Sequence, residues 1–258
     1  MIRRARLSDF ESIEEIGRMT WGGRDYLPSV FHEWLEDGDF FVLEVDGIAV
    51  ATAKLTLLPC GVGWMEGLRV HPSHRGRGYA SKLHDFLISY GEELHRIGKI
   101  SSLMYATDSR NEASIHLGLK SGFRVVKRFY HLFREAGGYA EVREAEPLLP
   151  DLDLIPVSWR FIRRCEESLE WLRGRVRAFR MNEGGFFVPR EANIFTPSDY
   201  SRTEDLLEGM GSVAAGLGRR LGIMIPEDLP DLVGRLRGRG FSQREGDGPD
   251  VLVFELKL

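Results

Sequence analysis

The sequence predicts an α/β protein with a mixed central sheet flanked by helices, followed by a smaller half of the same class. Three observations predict this class. Strands and amphipathic helices alternate along the first half, a glycine-rich loop separates a strand from a long helix, and the second half repeats the order. With 258 residues, 43% hydrophobic and 29% charged, the chain has the composition of a globular protein with one or two domains.

The first half follows the order β-α-α-β-β-β-α-β-α-β. Apolar residues spaced three and four apart predict its helices, Asp9 is a candidate cap for the first one, and Asp46-Gly47 predicts a hairpin turn. The predicted strands are Ile2–Ala5, Phe40–Val45, Ile48–Leu58, Gly63–Val70, Ile100–Ala106 and Arg124–Leu132. Four helices are predicted: one directly after Asp9, a second that contains Val30–Leu35, a third that contains Tyr79–Leu94, and a fourth over Asn111–Lys120.

An acidic, proline-rich stretch over residues 141–156 predicts a linker between a first domain, residues 1–140, and a second domain, residues 157–258. The second domain is expected to begin with a helix and to alternate strands and helices again. Its predicted elements are the helix Phe161–Leu172, the strands Val176–Arg180, Phe186–Pro189 and Asn193–Phe195, the helix Thr203–Leu221, the strand Ile223–Ile225, the helix Asp228–Leu236 and the strand Val251–Leu256.

Two landmarks of the first half recur in the second. Pro72-Ser73 and Pro197-Ser198 each precede a helix, and Gly122-Phe123 and Gly240-Phe241 each follow the last helix of their half. The recurrence indicates a degenerate internal duplication. Chance similarity between two α/β halves is the alternative interpretation.

Charge, hydropathy and cysteine content exclude several classes of protein. The net charge is −4, and each half, divided at Glu146, carries −2, which argues against nucleic-acid partners. No apolar run approaches the ~20 residues of a membrane helix, and acidic residues follow the first arginines, so neither a membrane span nor a signal peptide is expected. Two cysteines provide no disulfide framework or CxxC metal site, which fits a reducing cytoplasm. The sequence leaves a homodimer open.

The loop from Arg75 to Ala80 (RGRGYA) is the sharpest local feature. It lies between a predicted strand and the long helix, where glycines allow backbone N–H groups to turn toward an anion. The helix dipole and the two arginines, Arg75 and Arg77, favour negative charge at the same place. The loop is therefore a candidate phosphate site, with a plain solvated turn as the alternative.

In this context the first 135 residues or so resemble the GNAT superfamily of acetyl-CoA-dependent N-acetyltransferases. Three segments support the resemblance: Glu66–Pro72 (EGLRVHP), the loop Arg75–Ala80, and Asn111–Phe123. The resemblance implies the GNAT fold, acetyl-CoA as co-substrate, and a cradle for the CoA pyrophosphate in the loop. It also implies a strand that splays from its neighbour and pairs with the pantetheine arm. The residues that it assigns to the cofactor are Leu68, Arg69, Val70, Arg75, Gly76, Arg77, Gly78, Tyr79, Ala80 and Asn111.

The equivalent loop of the second half reads Tyr200–Asp205 (YSRTED). It has no glycine, and two carboxylates lie where phosphate would bind, so like charge opposes an anion there. We expect the second half to bind no CoA and to have a structural or substrate-shaping role.

Glu66 is the candidate general base. An amine attacks a thioester only when unprotonated, and most amines are cationic at pH 7, so a base assists. Glu66 precedes Leu68 on the splayed strand, although an exposed strand glutamate or a salt bridge is the alternative. The resemblance places a general-acid tyrosine where this chain has Gly118, so that group is missing; Tyr79, His116, Tyr130, water or no acid remain.

The loop between the first two helices is the expected acceptor region. The segment Gly22–Pro28 (GGRDYLP), together with Glu66–Val70, resembles the histidine N-acetyltransferase family over about residues 22–80. The candidate substrate-binding residues of this loop are Arg24, Asp25 and Tyr26. An amino-acid acceptor suits these residues, because Arg24 or Arg69 could hold a carboxylate while Asp25 or Glu66 holds an ammonium group. A helix-entry turn that buries Tyr26 and Leu27 is the alternative.

The predicted activity is therefore transfer of acetyl from acetyl-CoA to the amine of a small molecule, an amino acid of the histidine kind. A protein acetyltransferase acting on N-termini or lysines, and a non-catalytic acyl-CoA sensor, are the two alternatives. No metal is expected, because no histidine pair has zinc-helix spacing with a third ligand.

Overall fold

The computed structural model describes residues 1–23 and 25–258 and divides them into two compact units. Unit 1 comprises residues 1–105, 120–122 and 255–258, and unit 2 comprises residues 106–119 and 123–254. Among the described residues, seven α-helices occur: α1 (Phe10–Arg18), α2 (Leu27–Asp37), α3 (Tyr79–Arg96), α4 (Glu112–Lys120), α5 (Glu166–Leu172), α6 (Thr203–Gly216) and α7 (Pro230–Gly238).

The strands were predicted largely where they occur. In the described chain they are β1 (Ile2–Arg4), β2 (Phe40–Val45), β3 (Ile48–Leu58), β4 (Val62–Val70), β5 (Ser102–Asp108), β6 (Arg124–Arg134), β7 (Arg143–Glu144), β8 (Leu154–Val157), β9 (Arg160–Arg163), β10 (Val176–Met181), β11 (Gly184–Pro189), β12 (Ile194–Pro197), β13 (Leu221–Pro226) and β14 (Val251–Lys257). The boundary between the units falls within β5 and within β14.

The sheet of unit 1 has the order β1-β2-β3-β4-β5 and is mixed. Strands β1 to β4 are antiparallel neighbours, whereas β4 and β5 are parallel. Helices α1 and α2 cover one face, where Phe31 and Trp34 pack on Phe40. Helix α3 covers the other face, where Phe86 packs edge-on against Phe41.

A buried lysine of β3 binds the C-terminal end of α2. Lys54 lies within apolar β3 and its side chain is 1% exposed. Its ammonium group donates to the Asp37 carboxylate at 2.6 Å and to the Gly38 carbonyl at 2.7 Å. The charge therefore offsets the orphan carbonyls at a helix C-terminus, where cations are favoured.

Within unit 2, strands pair in the order β6-β13-β12-β11-β10-β7. β12 and β13 are parallel, and the other pairs are antiparallel. Helices α6 and α7 supply much of its core, through residues such as Leu207, Met210, Val233 and Leu236. The predicted class, a mixed sheet flanked by helices, is confirmed.

Three local predictions are wrong. The helix expected over Phe161–Leu172 is two elements, because β8 and β9 form a hairpin whose tight turn places Ser158 at φ 62°, and α5 begins only at Glu166. The helix expected over Thr203–Leu221 ends at Gly216, and Leu221 begins β13. The expectation that the two cysteines form no disulfide is also wrong, since neither cysteine is a free thiol.

The expected linker, residues 141–156, contains β7 and the first part of β8. The division into domains at residues 140 and 157 stays a prediction. None of the helices that the structure describes is both long and apolar enough to cross a bilayer.

Candidate functional site

The open edge of β4 is the first feature of the site. β4 and β5 pair at three positions, from Val62 with Ser102 to Trp64 with Met104. Within unit 1, Trp64 and Met104 are the last partner positions of this register. From Met65 to Val70, β4 therefore continues along β3 while β5 has stopped pairing with it in unit 1. A strand edge of this kind presents N–H and C=O groups to a ligand.

A bulge shapes the middle of that edge. The β3 register jumps between Thr52 and Lys54, so that Gly67 and Leu68 together face one β3 residue. Gly67 has φ 66°, and a Cβ there would lie 2.4 Å from the Trp34 ring, so only glycine fits. The Thr52 hydroxyl donates to the Gly67 carbonyl at 2.7 Å and fixes the bulge from the β3 side.

The loop that follows β4 ends at the N-terminus of α3. Its two glycines, Gly76 and Gly78, have φ values of 74° and 75°, the left-handed region that turns successive N–H groups toward one side. A Cβ added at either glycine would meet no atom within 4 Å, so the space above the loop is open. In the described chain no side chain caps α3, which leaves its first N–H groups available to an anion.

Two arginines surround this loop. Arg75 donates through Nε to the Val70 carbonyl at 3.2 Å, which ties the loop to the end of β4, and Arg77 donates to the Ser73 carbonyl at 3.4 Å. Both side chains are exposed, and they add positive charge to the helix dipole. The structure thus brings together Leu68 to Val70 and Arg75 to Ala80, as the sequence predicted, in one strand–loop–helix junction.

Glu66 lies on the same strand, four residues before Val70, and is partly buried. Its carboxylate accepts a hydrogen bond from the Thr56 hydroxyl at 2.6 Å. The hydrogen bond orients one carboxylate oxygen. Sequence reasoning missed Thr56, although Thr52, Lys54 and Thr56 form a buried polar alternation in an otherwise apolar strand, which is a readable signal.

The expected acceptor loop contributes a buried ion pair. The Asp25 side chain is 0% exposed and accepts from Arg69 Nε at 2.6 Å. Its other oxygen accepts from the backbone N–H of Leu27 at 3.0 Å, at the start of α2. Arg69 also donates to the Leu68 carbonyl at 3.0 Å, and its guanidinium lies 5.6 Å from the centre of the Tyr26 ring.

Charge and burial act against each other on Arg69. Burial disfavours the guanidinium cation, but Tyr26 and Asp25 favour it, and the pKa of Arg69 is raised overall. Tyr26 packs its ring edge against Trp34 and remains 42% exposed. Arg24, the third predicted residue of this loop, lies outside the described residues.

The segment before the acceptor loop has an unusual backbone. Trp21, Gly22 and Gly23 all have positive φ, at 51°, 65° and 81°. A tryptophan in this region is strained, and its ring is 59% exposed. The loop therefore presents aromatic surface from Trp21 and Tyr26.

Asn111 belongs to unit 2, where it immediately precedes α4. Its side-chain oxygen accepts from the backbone N–H of Ser114 at 3.2 Å, as an N-cap does. Nearby, the bidentate pair with Arg110 lowers the pKa of Asp108. The predicted contact between Asn111 and the cofactor stays a prediction.

The loop of the second half is built differently. Tyr200 is 6% exposed, and its hydroxyl donates to the Met224 carbonyl at 3.0 Å. Burial raises the pKa of this phenol above its usual range. Asp199 accepts from the backbone N–H of Ser201, and Thr203 donates to the Tyr200 carbonyl. The Asp199 carboxylate thus occupies a backbone N–H that an anion could otherwise bind, and it places negative charge there.

Comparison with known proteins agrees with this geometry. Residues 7–123 match the family model described as the acetyltransferase (GNAT) family. A histidine N-acetyltransferase from Xenopus tropicalis is 33% identical over 108 residues, which are 41% of this chain and 33% of that protein. The human protein named probable N-acetyltransferase 16 is 35% identical over 98 residues, 37% of this chain and 27% of that one. The alignments thus span a third or less of these relatives.

Solved structures extend the likeness of the fold to the whole chain. A crystal structure from Thermoplasma acidophilum covers 100% of both chains with a TM-score of 0.69 and 20% identity. A GCN5-related N-acetyltransferase from Sphaerobacter thermophilus covers 100% of this chain and 95% of its own with a TM-score of 0.63 and 14% identity. Residues 7–123 of this chain thus match the GNAT acetyltransferase family, and the fold and the open strand edge agree with that match.

Proposed function

We propose that the protein transfers an acetyl group from acetyl-CoA to the amine of a small molecule, an amino acid of the histidine kind. The observation that supports this most directly is the junction of β4, the loop Arg75–Ala80 and α3. It combines an open strand edge with an uncapped helix N-terminus and two exposed arginines. These features suit a ligand with a peptide-like arm and a pyrophosphate.

The loop would hold the pyrophosphate of acetyl-CoA. Backbone N–H groups from Gly76 to Ala80 are donors for phosphate oxygens, and Arg75 and Arg77 supply the countercharge. The edge from Leu68 to Val70 would pair with the amides of the pantetheine arm, as an added strand pairs with a sheet edge. We place Asn111 near the same arm on the family pattern alone.

The direction of the backbone groups favours thioester activation at this edge. The N–H of His71 donates to Val50 on β3 at 2.9 Å. Because hydrogen-bonding groups alternate in direction along an extended strand, the N–H of Val70 points away from β3, toward the side that β5 has left. A donor held there would polarise the thioester carbonyl and stabilise the charge that develops during attack.

Glu66 would accept the proton of the attacking amine, directly or through water. The hydrogen bond from Thr56 holds its carboxylate in a fixed orientation, which a positioned base requires. The departing CoA thiolate needs no dedicated acid, because a thiol pKa of about 8.5 makes it an adequate leaving group. This agrees with glycine rather than tyrosine at position 118.

The acceptor class rests on the relatives. Two relatives in the comparison are named for the acetylation of histidine or as an N-acetyltransferase. The exposed rings of Trp21 and Tyr26 give the acceptor region an aromatic surface that suits an imidazole or another flat side chain. Arg24 and Tyr26 remain candidate substrate contacts of the same loop, whereas both oxygens of buried Asp25 are used within the protein.

The test measures CoA release from acetyl-CoA with the twenty amino acids, polyamines and short peptides. Wild type is compared with Glu66→Gln and with Glu36→Gln, an exposed glutamate of α2 that serves as the matched control. We expect turnover of a single amino acid or a few, and a fall in kcat of about 100-fold for Glu66→Gln only.

Other outcomes separate the alternatives. Turnover of peptides alone would replace the small-molecule acceptor with a protein acceptor. Tight acetyl-CoA binding without turnover on any amine would indicate a sensor, in keeping with Gly118. Full activity of Glu66→Gln would remove Glu66 from the proposed chemistry.

A further inference from the structure

The hydrogen-bonding groups of Asp25 and Arg69 are largely used within the protein. Both Asp25 oxygens are engaged, one by Arg69 Nε and the other by the Leu27 N–H. Arg69 also donates a hydrogen bond to the Leu68 carbonyl. An acceptor carboxylate that took Arg69 would leave the fully buried charge of Asp25 without its partner, which is costly. This pair is therefore a poor ligand for a substrate.

The pair instead contacts the segment of β4 that carries the proposed donor to the thioester carbonyl. Arg69 follows the Gly67-Leu68 bulge and precedes Val70, whose N–H faces the open side. Its guanidinium holds the carbonyl of the peptide before it, and Asp25 holds the guanidinium. The conformation of Arg69 sets the planes of the two peptide groups on either side, because each is planar and trans. The second of these groups contains the Val70 N–H.

We infer that Asp25 and Arg69 are positioning residues that fix the bulged end of β4, so that its open-side N–H points at the acetyl carbonyl. The inference deepens the proposed function and rests on it. Asp25 transmits the position of the α2 N-terminus to β4, since the same carboxylate binds Leu27. The acceptor loop and the donor edge are thereby held in one arrangement by a single buried carboxylate.

The inference predicts effects on the rate and on the thioester carbonyl, with little effect on cofactor affinity. Asp25→Asn removes the charge that Arg69 needs, and Arg69→Lys keeps a charge but lacks the planar fork that reaches two acceptors at once. A displaced donor loses much of its effect, since a misplacement of about 1 Å costs up to about 100-fold in rate. We expect kcat to fall about 10- to 100-fold in both variants.

Infrared difference spectroscopy tests this inference, with acetyl-CoA labelled with ¹³C at its carbonyl and bound to wild type or to each variant. A donor on the carbonyl oxygen lowers its stretching frequency. We expect a downshift in wild type that is lost in Asp25→Asn and Arg69→Lys, while the acetyl-CoA Kd changes by less than about threefold. This readout requires no acceptor, and a purely structural pair would not alter it.

The matched control is Asp9→Asn. Asp9 and Arg3 form another shielded pair of unit 1, with side chains 6% and 12% exposed and a 2.7 Å contact, but neither residue lies on β4. The control should be less stable than wild type yet retain the full downshift.

Each other result has a defined meaning. A downshift retained in both variants overturns the inference, as does a rise in acceptor KM with unchanged kcat, which would make the pair a direct substrate contact. If Asp25→Asn fails to fold, Arg69→Lys alone decides. If wild type does not bind acetyl-CoA, the proposed function fails; if it binds with a downshift that the variants keep, only the positioning role fails.

Discussion

Two strands of this molecule lead into a helix, and the junctions differ in what they leave exposed. β4 runs to Val70, well beyond Trp64, its last partner position with β5 in unit 1. β12 ends at Pro197, just beyond Phe195, its last partner position with β13. The Thr196 hydroxyl there donates to the Pro156 carbonyl of β8 at 2.7 Å. The β8–β9 hairpin thus engages the strand at the place where β4 is open.

The loops differ in the same sense. The loop of unit 1 has glycines with positive φ and open space above them. The loop of unit 2 buries Tyr200 and satisfies its backbone with Asp199 and Thr203. The two junctions therefore differ both at the strand edge and in the loop. We therefore expect one acetyl-CoA per chain.

The largest expected effect comes from giving the first loop the charge of the second. Gly78→Glu places a carboxylate at the N-terminus of α3 and strains a residue with φ 75°. Acetyl-CoA affinity should fall at least about 100-fold, measured by calorimetry. Gly98→Glu, at another exposed glycine of positive φ, is the control for backbone strain. If Gly78→Glu still bound one acetyl-CoA per chain with wild-type affinity, the loop would not be the phosphate site.

The second prediction concerns unit 2, where lowering the pH should reduce the free energy of unfolding of the protein through buried His131. Burial, followed by the charge of Arg244, lowers the pKa of His131 to about 4. The unfolded chain binds the proton near pH 6.5 and the folded chain only near 4, so stability should fall as pH drops between these values. The loss should be about 3 kcal/mol at pH 4.

Chemical unfolding of wild type and His131→Gln between pH 7 and 4.5 measures the contribution of His131 to the loss of unfolding free energy. The variant should be less dependent on pH, because glutamine does not titrate. Equal slopes for the two proteins would show that groups other than His131 account for the acid sensitivity.

The smallest expected effect is that of Tyr200→Phe. It removes one buried hydroxyl and leaves the Met224 carbonyl without that donor, which should cost about 1 kcal/mol of unfolding free energy. Acetyl-CoA affinity should be unchanged, as measured in the same titration as for Gly78→Glu. A large loss of affinity would mean that unit 2 takes part in binding after all.

The sequence was sufficient for features that depend on local pattern. The loop Arg75–Ala80 and the strand before it were predicted because glycine, arginine and apolar spacing are local signals. The β8–β9 hairpin was missed because its acidic, proline-rich beginning is typical of a linker, and only pairing across Ser158 shows a strand. The Asp25–Arg69 pair was equally out of reach, since 44 residues separate its members and burial decides their role.

Lys54 has a consequence for any reagent that modifies amines. Its ammonium group is buried and donates to Asp37, Gly38 and the Leu55 carbonyl, so its three protons are engaged. An electrophile can reach the nitrogen only when the end of α2 detaches from β3. Slow acylation of Lys54 in the native protein would therefore report the opening frequency of the helix that follows the acceptor loop.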